Sequence, residues 1–81
     1  MNTYEELRRE HGWGLMASSE QVASIFGFSG KLTAFNRLVR EGKDDLFTEL
    51  RKIRITAGRK SLYPTKLIAD LIERLNLGEN K

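Results

Sequence analysis

SSEQVASIFGFSGKLTAFNRLVREG, residues 18–42, decides how the rest of the chain is read. Two short helices joined by a tight turn account for its pattern: Ser19 to Phe26, then Gly27-Phe28-Ser29-Gly30, then Lys31 to Glu41 with Gly42 as the stop. Ser18 is a good N-cap, and Gln21 three residues later completes a capping box. Gly27 and Gly30 can take the positive φ values that reverse a chain in few residues. In the first helix Val22, Ala23 and Phe26 form an inward stripe with Ile25 alongside, while Gln21 and Ser24 stay polar and outward. In the second, Leu32, Phe35, Leu38 and Val39 recur at the spacing of a buried face. The other flank carries Thr33, Arg37, Arg40 and Glu41, with Ala34 beside them.

A helix with one packing side and one polar, cationic side is what a helix-turn-helix requires of its second helix, which must dock on a core and enter a major groove. An ordinary helical corner with a solvated charged face has the same pattern. Charge distribution bears on the partner. Net charge is only +3, yet residues 31–66 hold ten basic side chains against four acids, and the acids gather toward the two ends. A basic middle between acidic ends predicts one positive face and a polyanionic partner.

Composition narrows the classes further. Eighty-one residues make one small domain, near the size at which a single core becomes marginal. Without cysteine there is no disulfide, thiolate metal site or thiol nucleophile. No apolar run approaches the ~20 residues of a membrane span, and MNTYEELRREHG lacks the apolar core of a signal peptide, so cytoplasmic residence is expected. Asp44 and Asp45 are adjacent rather than opposed, and they read as a solvated turn. Neither a nucleophile–base set nor a glycine-rich phosphate loop is present, so neither enzymatic activity nor a cofactor is expected.

Outward from the centre, Thr3 and Glu6 suggest a capping box for a helix from Tyr4 to about His11, ended by Gly12. His11, the sole histidine, reads as a helix-end residue. Trp13, Leu15 and Met16 form an apolar connector that tucks onto the core as an extended segment; base stacking is the alternative use of Trp13. Beyond Gly42, Asp45 caps a helix from Leu46 to about Lys52, with Leu46, Phe47 and Leu50 inward. Ile53 and Ile55 then alternate with Lys52, Arg54 and Thr56 as in a half-buried strand. Residues 56–60 turn at Gly58, Ser61-Leu62-Tyr63 returns, and Pro64 forbids extension. The result is a β-hairpin with Arg54, Arg59 and Lys60 on its tip and outer face, either a wing that holds phosphates or the minor groove or a solvated, charge-protected edge. Thr65 to Leu75 is a final helix with Leu67, Ile68, Leu71, Ile72 and Leu75 on its apolar face, an Asp70–Arg74 pair and a stop at Gly78. Its apolar face serves either core closure or a dimer, and Glu79 to Lys81 reads as a frayed end.

In that order the parts resemble the excisionase and AlpA-type regulators of phages and mobile elements, small winged-helix proteins of the wider MerR-like group. The resemblance covers Met16 to Leu75 and rests on Leu15-Met16, Glu20-Gln21-Val22-Ala23, Gly27-Phe28-Ser29, Val39-Arg40-Glu41-Gly42, Gly58-Arg59 and the final helix. Two departures stand out: Gly27 to Gly42 is two residues longer than the family pattern, and Asp44 to Glu49 reads as an insertion before the wing. The resemblance implies a mostly α winged helix-turn-helix with a small β-hairpin: an N-terminal helix and connector (1–14), the motif (18–42), the wing (51–63) and a closing helix (65–75). It also implies sequence-specific binding of double-stranded DNA, DNA bending or a cooperative array, and a role in excision or transcription. Self-association and a recombinase or other phage protein are implied as further partners, with no membrane partner. Ser29, Lys31, Thr33, Ala34, Arg37, Arg40, Arg54, Arg59 and Lys60 are then the DNA-contacting candidates. The small terminase subunits of lambda-type phages begin with a similar winged helix, which makes DNA-packaging recognition an alternative, as is a protein-binding antirepressor on the same scaffold.

Overall fold

A computed structural model describes residues 2–79, with side chains from Asn2 to Leu75. The order of elements is α1 (Thr3–Arg9), β1 (Met16–Ser18), α2 (Ser19–Ile25), α3 (Leu32–Glu41), α4 (Asp45–Ile53), β2 (Ile55–Ala57), β3 (Lys60–Pro64) and α5 (Thr65–Glu79). Five helices therefore accompany a small three-stranded antiparallel sheet of order β1-β3-β2.

The centre folds as its residues dictate. Gln21 N–H donates to Ser18 Oγ (3.1 Å) and Ser18 N–H donates to Gln21 Oε1 (2.9 Å), so the capping box is closed in both directions. Gly27 and Gly30 adopt φ of 87° and 75°, and Gly42 ends α3 in the left-handed region at 61°. Phe35 and Val39 of α3 are buried with Val22 and Ala23 of α2, whereas Leu32 is partly exposed. Phe28 from the turn, Phe35 from α3 and Phe47 from α4 meet as a ring cluster, with centroids 5.6–6.1 Å apart in tilted or edge-on arrangements. This cluster packs the turn, α3 and α4 against one another.

The hairpin is part of a larger sheet. Met16, Ala17 and Ser18 pair with Pro64, Tyr63 and Leu62, which makes β3 the central strand. Strand alternation turns Ala17 and Tyr63 to the core and Met16 outward, while Leu15, just before β1, is 68% exposed. The connector thus extends as expected, but Trp13 and Ala17 anchor it, and the burial of Trp13 excludes base stacking. Ile53 belongs to α4 rather than to a strand, because it lies three residues after Leu50 on the same helical face. The hairpin begins at Ile55, which is exposed on the outer face of the sheet. It turns through Gly58-Arg59, closed by the Ala57–Lys60 pair, with φ 64° at Gly58, as in a type II′ connection. Pro64 does not stop the strand early. It pairs with Met16 as the last strand residue, and α5 starts immediately after it.

Three caps and pairs differ from expectation. Asn2, not Thr3, caps α1 by accepting from Glu5 N–H (2.8 Å), while Thr3 N–H donates to Glu73 of α5 (3.2 Å). Asp44, not Asp45, caps α4 by accepting from Phe47 N–H (3.1 Å), since only the residue before the first turn can reach those amides. Asp70 pairs with Lys66 rather than Arg74, and Arg74 crosses to Glu49 of α4, each at 3.8 Å. Helix α5 also continues through Gly78 to Glu79, because one glycine costs a helix only about 1 kcal/mol. Of its apolar face Ile68 and Leu71 are buried together with Ala69, while Leu67 and Leu75 remain substantially exposed. Asn80 and Lys81 lie outside the described residues.

Two residues at the end of β3 and the start of α5 bury polar side chains, and they differ in how these are satisfied. Thr65 is fully buried; its hydroxyl donates to Gly14 O (2.6 Å) and its N–H to Leu15 O (2.9 Å), fastening the start of α5 to the connector. Tyr63 is buried as well, but its hydroxyl has no hydrogen-bond partner among the described residues. The nearby Ser19 hydroxyl is committed to Ser61 O (3.3 Å). Burial raises the Tyr63 pKa above 10.0, while the Arg54 charge and the Ser19 hydroxyl pull it part of the way back. Above that pH the unfolded chain releases this proton before the folded one does, so stability falls as pH rises. Tyr63→Phe is therefore expected to be neutral or stabilising by up to about 1 kcal/mol at pH 7. Its advantage over the wild type should widen above pH 10, measured by urea unfolding across that range. A clear loss of stability at neutral pH would mean that the hydroxyl is satisfied after all.

Candidate nucleic-acid interface

The outer flank of α3 is built by its inner one. With Phe35 and Val39 held in the core, the helical period turns Thr33, Asn36, Arg37 and Arg40 outward, and all four are exposed. Ala34 sits at the margin, half-buried. Asn36 was not evident as a candidate from the sequence. Its spacing, three residues after Thr33 and four before Arg40, is the signal that would have found it, and an asparagine amide can read adenine bidentately.

Lys31 occupies the N-cap position of α3 and makes no side-chain cap bond there, so no side chain claims the peptide N–H groups of the first turn. Ser29 and Lys31 are both exposed beside that turn. They line one wall of an open groove of about 860 Å³, whose other walls come from α2 and from His11 and Trp13 of the α1–β1 connector.

The wing candidates divide. Arg59 lies in the β2–β3 turn and Lys60 opens β3, both exposed. Arg54 is not on a strand: it is the C-cap of α4, half-buried, with its charge felt at the Tyr63 hydroxyl. Half-buried at the end of α4, it is less available to a partner than the two at the tip.

Among the described residues, the ion pairs use Lys52, Lys66 and Arg74. Lys31, Arg37, Arg40, Arg54, Arg59 and Lys60 make none. Most cations of the central stretch are thus without an acidic partner among the described residues. No cluster of metal-ligating side chains occurs among the described residues, and no helix there is long and apolar enough to cross a membrane. Comparison with family models, curated proteins and solved structures finds no match for this chain.

Proposed function

We propose that the protein is a non-enzymatic, sequence-specific binder of double-stranded DNA, with α2 and α3 as a helix-turn-helix and the β2–β3 hairpin as its wing. The observation that carries this reading is the outer flank of α3, where Thr33, Asn36, Arg37 and Arg40 stand exposed and Arg37 and Arg40 have no ion-pair partner among the described residues. Arginine reads guanine bidentately, and Asn36 adds an amide that matches adenine. The first turn of α3 lacks a side-chain cap, and Lys31 stands beside it; such a helix start suits a phosphate. Arg59 and Lys60 at the hairpin tip would hold the backbone alongside. Excision control, transcriptional control and DNA-packaging recognition all use such binding, and the likeness to the excisionase group favours the first two.

Roles divide accordingly. Arg37→Ala is expected to relax sequence preference and cost about 1–3 kcal/mol on the preferred duplex, while Arg59→Ala weakens all sequences alike. Selection of bound oligonucleotides from a random pool, followed by fluorescence anisotropy on selected and random duplexes, measures both. Equal losses on both duplexes for both variants would refute the division. Absence of binding to any duplex at micromolar protein and low salt would refute the DNA reading and transfer the cationic surface to an acidic protein.

A further inference from the structure

The helix α4 lies where the sequence departs from the pattern it otherwise resembles, and it does more than connect α3 to the hairpin. Its geometry follows from the αL end of α3. Gly42 reverses the chain, Lys43 and Asp44 make the link, and Asp44 caps α4. Thr48 then faces back, its hydroxyl donating to Gly42 O (3.2 Å). Arg51 follows three residues later on the same face and brings its guanidinium over the same glycine. Its Nη1 is 3.6 Å from the point a Cβ on Gly42 would occupy. Glu41, Asp44 and Asp45 are close in sequence, yet Arg51 pairs with no acid among the described residues, and neither does Lys43. The next lysine along α4, Lys52, is committed to Glu49, which also takes Arg74 of α5. One side of α4 is thus spent on the protein, and the other delivers an uncommitted arginine to the C-terminal end of α3.

We propose that Lys43 and Arg51, together with Arg40, form a second phosphate clamp for duplex DNA at the end of α3 opposite Lys31. The proposal rests on the DNA-binding reading above and adds to it a surface carried by α4. Ten helical residues span about 15 Å, more than the ~12 Å width of a major groove. A helix seated there has both ends at the phosphate walls. Lys31 meets one wall, and the Arg40–Lys43–Arg51 cluster meets the other. Phosphate contacts of this kind set orientation and affinity without reading sequence.

The test is the salt dependence of duplex binding by the double variant Lys43→Ala/Arg51→Ala, followed by fluorescence anisotropy on selected and random duplexes. Two lost phosphate contacts should lower the slope of log K against log salt by about 1.8, so that the affinity loss between about 50 and 200 mM salt shrinks roughly twelvefold. The change should be the same on both duplexes. Lys52→Ala, whose charge is already paired, should leave the slope unchanged, and Arg51→Lys should largely retain it. The single variants Lys43→Gln and Arg51→Gln, each removing about 0.9, carry the test should the double variant fail to fold. An unchanged slope in folded variants, or a loss confined to one sequence, would overturn the clamp while leaving α3 as the DNA reader. A wild-type protein that binds no duplex would overturn both.

Discussion

Phe35→Ala is expected to remove a large share of the free energy that holds the chain folded. The side chain is fully buried and stands between Phe28 and Phe47, at 5.6 and 6.1 Å. Removing it takes away the transfer free energy of a phenyl ring and opens a cavity shared by the turn, α3 and α4, at a cost of about 3–5 kcal/mol. A chain of 81 residues is stable by only some 4–12 kcal/mol in all, at roughly 0.05–0.15 kcal/mol per residue. Urea unfolding monitored by far-UV circular dichroism measures the loss. A change under about 1 kcal/mol would show that the three rings are not what holds α3 in place. Duplex affinity should fall with stability, because this contact packs α3 against the turn and α4.

The second large effect is electrostatic. Lys31, Arg40, Lys43, Arg51, Arg59 and Lys60 make no ion pair among the described residues, so contact with phosphates would release DNA counterions without first breaking intramolecular pairs. Six such contacts give a slope near −5.4, which is about a thousandfold loss of affinity between roughly 50 and 200 mM salt. Titrations at several ionic strengths on a random duplex read the slope directly. A slope shallower than about −2 would leave most of these cations away from the phosphates and limit the interface to α3. Because Arg54 is half-buried beside Tyr63, it is the residue whose removal should change the slope least.

What the sequence made legible was local. The Ser18–Gln21 box, the turn glycines, the αL stop at Gly42 and the split faces of α3 each depend on residues within one or two turns of one another, and all are present. The misreadings involve distance or competing periods. A strand of three residues, Met16–Ser18, has too little pattern to announce itself, and its existence depends on β3 more than forty positions later. Ile53 and Ile55 fit a strand period, yet Ile53 also fits the helical face of Leu46, Phe47 and Leu50, and the longer match prevailed. Thr65 shows nothing in sequence of its two bonds to Gly14 and Leu15. On the functional side, Asn36 was open to a count of helical spacing. Arg51 was not, since its place beside α3 depends on how a two-residue link folds α4 back.

The central position of β3 also governs the order of events during synthesis. Strand β1 leaves the ribosome early but has no neighbour until Lys60–Pro64 has emerged, and the Thr65 fastening follows one residue behind. A nascent chain stopped before Lys60 therefore holds helices without a sheet, and the nucleus joining both halves must close a loop of more than forty residues. Such long-range closure slows folding relative to a purely helical chain of the same length. Ribosome-stalled lengths should accordingly acquire protease resistance in one step, once β3 and the first turn of α5 have cleared the exit tunnel.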